Sequence, residues 1–309
     1  MISISARLTL NLHDLNNEAS EGNQVQTRMV HVVDEHGELA VVNAVSGDML
    51  KHVQAGYLQR VALEEGLPLC TGCRLFDANR INRDEEFFKE LGDEKDASKT
   101  LDRVIPACVL DDAEGFLITV GKRSVPRKST VEFGWLVGIP SRTQTESYFH
   151  VKYDPSRAAG SGDETGANLG QAIFYRPANS GVYALVATFE AARIGFNDIS
   201  RQYVLSESER ASRVRAVLKS LVYTLVRTEG AQRNAQHPHI SAAEGVIAIS
   251  RDVRPAPTAS PLKDGYREDV IATCKQLDRM GGKHEFETRT FDSMSELASI
   301  AADLVDTLA

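Results

Sequence analysis

Four positively charged residues form the densest basic cluster in this sequence: Lys122, Arg123, Arg127 and Lys128. Two predicted strands border the cluster, and Pro126 stiffens the turn between them. Lysine and arginine side chains that line one groove bind the phosphate oxygens of a nucleic acid. The cluster therefore predicts a phosphate clamp. Most charge runs end as solvated turns, and that interpretation stays open.

A second polar group lies in the first fifty-odd residues. Asn17 falls in a polar loop, Arg28 in a predicted strand, and Ser46 just before apolar residues that recur at helical spacing. Ser46 is predicted to cap this helix and to leave backbone N–H groups at its start free for a phosphate. Lys51 and His52 fall on the polar face of the same helix. Position alone favours a solvated Lys51 and a partly packed His52.

Cys70 and Cys73 form a C-x-x-C pair, a spacing that binds zinc or performs redox chemistry. A zinc site needs a second pair of ligands, and no remaining candidate has a recognisable partner spacing. The candidates are His237, His239, Cys108 and Cys274. We therefore expect packed thiols and neither a metal nor another cofactor. Four cysteines in a chain of this length predict no disulfide framework.

Asp14 follows the first predicted strand and raises the question of an enzyme. Hydrolysis of RNA by carboxylates needs a metal ion and a positioned water. An aspartate beside asparagines more often forms a local turn. The sequence contains no phosphate-binding loop of Walker type, no G-x-S-x-G and no H-E-x-x-H. A metal-dependent RNase is therefore the least favoured function.

Predicted strands and helices alternate irregularly along the chain. Apolar and polar residues alternate over residues 2–12, which predicts a strand with one wet face. Further strands are predicted over 104–110 and 116–120, and a hairpin over 172–189. The strongest helix is predicted over 206–225, where Ser and Glu three residues apart form a capping box. A last helix is predicted after residue 292. Residues 157–170 are predicted to be disordered, and the proline-rich residues 254–265 are predicted to form a loop or linker.

Composition is that of an ordinary soluble globular protein, with 42% hydrophobic and 25% charged residues. The N-terminus alternates instead of running apolar, and no apolar run is long enough for a bilayer, so we expect a cytoplasmic protein without membrane contact. The net charge of −8 counts against a general nucleic-acid binder. Local charge decides binding, however, and the acidic runs stand apart from residues 122–128.

Two stretches carry a resemblance to a known family: LTLNLHDLNNEASEGNQVQTR and NAVSGDMLKHVQAGYL. They resemble the start of the DevR-type backbone subunit of type I CRISPR surveillance complexes (Cascade). The resemblance implies an α+β fold with a ferredoxin-like (RNA-recognition-motif-like) palm and inserted finger-like and thumb-like lobes. It implies one domain over residues 1–309. The palm would comprise 1–61, 104–121 and 171–309, the finger-like insertion 62–103 and the thumb-like insertion 122–170.

The same resemblance implies a structural RNA-binding protein that polymerises along a CRISPR guide RNA. Its implied partners are the guide, the target DNA strand paired with the guide, copies of itself head to tail, and other Cascade subunits. Arg233, in a late basic turn, joins Lys51 and His52 as an implied guide contact. An apolar thumb residue would wedge between bases, and its candidates are Val125, Phe133 and Phe149.

Two other functions remain open beside this one. The family's older name describes an autoregulator, so a DNA-binding transcriptional regulator is the alternative. The sequence carries no helix-turn-helix signature, which disfavours reading of the major groove. Relatives in type III complexes cut RNA with an aspartate after the first strand, and Asp14 lies at such a place.

Overall fold

The computed structural model describes residues 1–153, 171–251 and 254–307. The segment 157–170, for which the sequence predicts disorder, therefore lies outside the described residues. The strands are β1 (Ile2–His13), β2 (Asn17–Glu21), β3 (Gln24–Thr27), β4 (Met29–Val33), β5 (Leu39–Val45), β6 (Phe116–Ile118), β7 (Val125–Arg127), β8 (Val131–Phe133), β9 (Leu136–Tyr153), β10 (Gln171–Phe189), β11 (Phe196–Asn197), β12 (Gln202–Tyr203), β13 (His239–Ser250) and β14 (Phe286–Phe291). The helices are α1 (Gly47–Glu64), α2 (Thr71–Arg74), α3 (Glu85–Leu91), α4 (Ala97–Ala107), α5 (Val109–Glu114), α6 (Glu207–Val226), α7 (Tyr266–Gly281) and α8 (Met294–Thr307).

One ten-stranded sheet organises the described chain, with its main path in the order β14-β13-β1-β10-β9-β5-β4. All pairs along this path are antiparallel; Ile4 of β1, for example, lies between Ala187 and Ile247. The α+β class is therefore confirmed. The inner strands lie in the order β13-β1-β10-β9, with α1 following β1 and α6 following β10 in the chain. The ferredoxin-like character of the palm stays a prediction. Additional strands extend the sheet at both edges.

Helices cover both faces of the central strands. α1 and α6 pack together on one face, where the Gln54 side chain donates to the Ser220 hydroxyl at 2.8 Å. α7 covers the other face, where its buried Val270 belongs to the same apolar cluster as Val246 of β13. Alternate residues of β13 thus enter two cores, as the two-residue period of a strand requires.

The expected wet face of β1 was wrong. Ser3 and Arg7 are buried, and both are bonded to the segment predicted as a proline-rich loop. The Ser3 hydroxyl donates to the Pro257 carbonyl at 2.6 Å, and Arg7 Nε donates to the Pro261 carbonyl at 2.8 Å. Polar residues alternate on a buried face when backbone carbonyls satisfy them, and periodicity alone does not detect that case.

The strand predicted over 104–110 was also wrong, because this apolar run belongs to α4 and α5. The Asp96 side chain accepts a hydrogen bond from the Lys99 N–H at 3.0 Å and caps α4. Cys108 occupies the N-cap of α5. A short apolar run fits a strand and a buried helix equally well, and here the capping residues decide for helix.

The predicted hairpin over 172–189 is instead one continuous strand, β10, which pairs with β9 from Gln171 to Ala184. Pro177 does not break it, since β1 ends its pairing at Asn179 and no partner needs the missing N–H. A side chain at Gly181 would meet the Arg142 carbonyl at 2.3 Å, so this close approach requires glycine. The residues of β10 that precede Asn179 pair with β9 and not with β1, so this part of the β9–β10 pair forms a ribbon that extends past β1.

The predicted helices at the two clearest capping signals are confirmed. Ser206 and Glu209 form the capping box of α6, and Ser293 accepts from the Glu296 N–H at the start of α8. α7 was not predicted. Residues 62–103 contain mostly short helices, and the division into palm, fingers and thumb stays a prediction. No helix of the described residues combines the length and apolar character needed to span a membrane.

Candidate nucleic-acid interface

Helix α1 begins with a cap that uses the groups predicted to face a phosphate. The Ser46 hydroxyl accepts from the Met49 N–H at 3.2 Å, and the Ser46 N–H donates to Asn16 Oδ1 at 2.8 Å. A side chain at Gly47 would lie 2.5 Å from the Phe133 carbonyl, so β8 covers the start of the helix. The prediction that Ser46 caps the helix is confirmed, and the Ser46 N–H itself is not free. Its assignment as an RNA contact stays a prediction.

Three adjoining cavities run along the exposed side of α1. The first and largest, about 590 Å³, contains Asn17 and Arg233 among its lining residues and is large enough for a nucleotide. It shares His52 with the second cavity, which in turn shares Lys51 with the third. We call this continuous surface the α1 face and define it by the side chains of Asn17, Lys51, His52, Arg60, Lys128, Trp135 and Arg233. Five predicted site residues therefore share one surface: Asn17, Lys51, His52, Lys128 and Arg233.

Lys51 lies at the centre of the α1 face and is partly removed from water. Burial lowers the pKa of Lys51 from its ordinary value, and the nearby carboxyl of Glu114 opposes that effect. Glu114 is itself buried, which raises its pKa, and neither of its carboxyl oxygens has a hydrogen-bond partner among the described residues. A desolvated ammonium group gains more from a phosphate than a fully hydrated one does.

At one end of the α1 face, two arginines form ion pairs with the same carboxylate. Arg60 Nη2 lies 3.2 Å from Glu229 Oε2, and Arg233 also pairs with Glu229. The Arg60 guanidinium stacks 4.2 Å above the centre of the Tyr57 ring. Two cations against one anion leave a net positive charge here. Arg60 was missed by sequence analysis, although its spacing of eight from His52 places it on the same helix face.

Asn17 and Asp14 are coupled beneath this end of the face. Asn17, with its amide nitrogen turned toward Asp14, donates to that carboxylate and accepts from Gln232 Nε2 at 3.2 Å. Asp14 is buried, and burial raises its pKa to about 6, against smaller opposing effects of Thr27 and Arg176. The RNase hypothesis requires an Asp14 carboxylate that is accessible at the surface, and the buried position of Asp14 does not meet that requirement.

The predicted cluster of four basic residues is divided in space. Arg127 is fully buried and donates to Asp112 Oδ1 at 2.6 Å, so its assignment as a phosphate contact was wrong. Arg123 Nε donates to the Glu94 carbonyl at 2.8 Å, and its guanidinium lies 5.8 Å from the centre of the Phe88 ring. Lys122 is exposed but does not line the α1 face. Only Lys128 of the four lines that face, at its third cavity.

The far end of the α1 face is aromatic. The Arg28 guanidinium lies 5.4 Å from the centre of the Trp135 ring, and Arg28 Nε lies 3.9 Å from a carboxylate oxygen of Glu18. Trp135 is 42% exposed, which leaves ring surface available to a base. Arg28 therefore reaches the α1 face through Trp135. Trp135 was missed because the alternation of a strand does not show which distant residues lie beside an exposed ring.

The three wedge candidates occupy different environments. Val125 is buried in the main core, and Phe133 packs against it. Phe149 is 56% exposed on the β9–β10 ribbon, where its ring centre lies 5.8 Å from that of Tyr175. Only Phe149 of these three has the exposure that insertion between bases needs.

The described residues contain one group of three or more side chains placed to hold a metal ion. It comprises Cys70, Cys73, Cys108 and Asp111, whose ligand atoms lie within 4.8 Å of one another. All four side chains are buried. Cys108 and Asp111 therefore lie beside Cys70 and Cys73, a proximity that their spacing in the sequence did not indicate.

The fold is that of chains found in CRISPR RNA-guided surveillance complexes. A chain of one such complex, in a pre-nicking state, aligns with a TM-score of 0.54 at 14% identity and covers 98% of this chain and 99% of its own length. A chain of a second complex aligns with a TM-score of 0.50 at 12% identity. It covers 93% of this chain and 87% of its own length.

The family follows from the sequence itself. The model of the family "CRISPR-associated negative auto-regulator DevR/Csa2" matches residues 4–271, so the chain belongs to the DevR/Csa2 family. It is 28% identical to the "CRISPR-associated aCascade subunit Cas7/Csa2 2" of Saccharolobus solfataricus, over 80% of this chain and 78% of the relative. It is 24% identical to the "CRISPR-associated protein Cas7/Cst2/DevR" of Methanocaldococcus jannaschii, over 99% of both chains.

Proposed function

We propose that this protein is the RNA-binding backbone subunit of a type I Cascade complex. The observation that carries the proposal is the continuous α1 face. Lys51 of α1 lines this face, and Lys128 and Arg233 from other segments line the cavities beside the same helix. Phosphate contacts of this kind hold an RNA without reading its sequence. The similarity to a relative that is named as an "aCascade subunit" supports the same assignment.

Each copy would hold a short segment of the guide RNA on its α1 face. Lys51 and His52 would contact the backbone at the centre, with Arg233 at one end and Lys128 at the other. Trp135 and Phe149 would stack on bases, because every base offers an aromatic face. Lys122 and Arg123 are the remaining predicted contacts, and they lie outside this face.

A single guide would organise many copies of the subunit. A head-to-tail interface joins two different surfaces and propagates into a filament, which the RNA length would end. Target DNA would be recognised by pairing of one strand with the guide, while the protein senses the shape of the heteroduplex. Other Cascade subunits would bind the ends of the filament, in the cytoplasm.

The proposed role is structural and not catalytic. Asp14 is buried beneath Asn17, and its carboxylate is already bonded to that amide. A general base or metal ligand for RNA cleavage has to reach the phosphate or an attacking water. Asp14 does not meet that condition in this arrangement.

Assembly on RNA of increasing length tests the proposal. Purified protein is mixed with single-stranded RNAs of stepped lengths, without divalent ions, and the complexes are weighed by native mass spectrometry. The expected result is a stepwise rise in protein copies with RNA length, with the RNA intact. A fixed stoichiometry at all lengths would refute the proposal.

The alternative function is a DNA-binding autoregulator, and the family description "negative auto-regulator" favours it. The same measurement with a DNA duplex from the promoter of its own gene discriminates the two. Tight, sequence-selective binding of that duplex, without a ladder of RNA complexes, would favour the regulator. Weak binding that is equal for unrelated duplexes would favour the guide-coating subunit.

A further inference from the structure

We infer that Cys70, Cys73, Cys108 and Asp111 form a structural zinc site at the base of the region 62–103. This inference is independent of the proposed function. Zinc in structural sites takes four ligands in tetrahedral geometry, and thiolates with one carboxylate are suitable ligands. The four ligand atoms, within 4.8 Å of one another, are the correct number in one place.

Two matching turns present these ligands. Cys70 precedes α2 and its sulfur accepts from the Cys73 N–H at 3.3 Å. Cys108 precedes α5 and its sulfur accepts from the Asp111 N–H at 3.5 Å. Each turn thus directs residues i and i+3 to the same point. In both, a backbone N–H donates to the first sulfur, an interaction that favours the thiolate form.

The two turns are held side by side by the backbone. The Val109 N–H donates to the Pro68 carbonyl at 2.9 Å, directly beside both pairs of ligands. A side chain at Gly72 would meet the Arg80 carbonyl at 2.0 Å, so only glycine fits between the two cysteines of the first turn. The positions of the ligands therefore depend on the surrounding fold and not on flexible side chains.

The distances suit one metal ion with a small contraction. Zn–S bonds of about 2.3 Å place tetrahedral sulfurs about 3.8 Å apart. The Cys70 and Cys73 sulfurs already lie 3.2 and 3.5 Å from Asp111 Oδ2. A spread of up to 4.8 Å among the four atoms needs movements of under about 1 Å, which side-chain rotations supply.

Polarity also points to a cation. Asp111 is fully buried, and its Oδ1 has no hydrogen-bond partner within the described part of the chain. A buried carboxylate beside weak thiol donors is costly unless a positive charge offsets it. Three thiolates and one carboxylate leave a charge of −2 around Zn²⁺. Arg80, which donates to the Leu110 and Gly115 carbonyls at 3.5 and 3.1 Å, brings a compensating guanidinium nearby.

The site would join the start and the end of one region of the chain. Its first pair of ligands precedes residues 74–107 and its second pair follows them, so the metal closes this segment as a loop. Cys73 also lines the same cavity as Lys51 and His52. Zinc would therefore stabilise the position of Cys73, which lines one cavity of the α1 face. Burial of all three thiols argues against a redox role, because reactive cysteines are accessible.

Metal analysis of the full-length protein tests the inference. The protein is purified without a polyhistidine tag or chelator and analysed by inductively coupled plasma mass spectrometry. The expected result is about one zinc per chain, and Co²⁺ in its place should give the visible spectrum of tetrahedral thiolate coordination. Less than about a tenth of an equivalent of zinc, after anaerobic reconstitution of the fully reduced protein as well, would overturn the inference.

Variants assign the ligands. Cys108→Ser should lose at least about fivefold of the zinc content, whereas the matched control Cys274→Ser, a buried thiol in a separate apolar cluster, should keep it. Asp111→Cys should retain zinc against a chelator longer than wild type, and Asp111→Asn for a shorter time. Equal zinc in Cys108→Ser and Cys274→Ser would overturn the assignment. If Cys108→Ser does not fold, the cobalt spectrum of wild type decides: a tetrahedral thiolate spectrum supports the site and its absence overturns it.

Discussion

Arg127 and Lys128 are adjacent in the chain and have opposite environments. Arg127 donates to Asp112 Oδ1 at 2.6 Å and to the Phe196 and Arg193 carbonyls at 2.8 Å, with its side chain fully buried. Lys128 is exposed and lines the cavity that also contains Lys51. Arg127 is the last residue of β7 and its side chain is directed inward, whereas Lys128 follows the strand and is left exposed for a ligand.

This relationship predicts opposite results for two neighbouring alanine variants. Arg127→Ala removes one partner of the buried Asp112 and should lower the free energy of unfolding by about 3–5 kcal/mol. Lys128→Ala should change it by less than about 0.5 kcal/mol and should weaken RNA binding instead. Urea denaturation and RNA titration measure the two effects. Equal loss of stability in both variants would contradict the assignment.

Lys51 should contribute to RNA affinity through a phosphate. Lys51→Ala is expected to weaken binding of single-stranded RNA about tenfold, or about 1.4 kcal/mol. It should also reduce the slope of log K against log salt by about 0.7, because one phosphate contact is lost. The matched control is Lys275→Ala, since Lys275 is an exposed lysine of α7 away from the α1 face. A slope that is the same in both variants would refute the contact.

Trp135 is the single tryptophan of the chain and provides an intrinsic probe of the α1 face. Because its ring is 42% exposed beside Lys51 and Lys128, stacking of a base should quench its fluorescence. The titration midpoint should move to higher RNA concentration in Lys51→Ala and stay in place in Lys275→Ala. Fluorescence that does not respond to saturating RNA would place the RNA elsewhere.

Asp14 should make stability depend on pH in an unusual direction. Burial raises its pKa from 3.8 to about 6, so between these values the folded protein binds more protons than the unfolded chain. This group therefore contributes stability below about pH 4 that is lost as the pH rises through about 6.

Asp14→Asn removes that titration. The variant should gain stability relative to wild type as the pH rises from about 4 to about 6, and the difference should be constant above that range. Urea denaturation across this range measures it. Burial lowers the pKa of the neighbouring His13 to about 4, which acts in the opposite direction, but His13 is present in both proteins and cancels in the difference. A constant difference from pH 4 to pH 7 would contradict the prediction.

Sequence patterns were sufficient where a signal is local. The capping box of α6 and the position of α8 were recognised because a helix satisfies its own backbone and its caps lie within four residues. The polar face of α1 was recognised for the same reason, and Lys51 and His52 do share a surface. The family was also recognisable, because the resemblance lies in the order of residues along two stretches of the sequence and does not depend on tertiary contacts.

Tertiary structure decided what distant segments do to each other. The role of Arg127 depends on Asp112 in another element, and the pairing of β10 depends on where β1 ends. The second pair of the cluster combines a cysteine with an aspartate, and only folding brings Cys108 and Asp111 beside Cys70 and Cys73. Sequence determines which side chains carry charge, sulfur and apolar surface, because these are local chemical facts. Burial and neighbours, which set what each group binds, arise only when the chain packs.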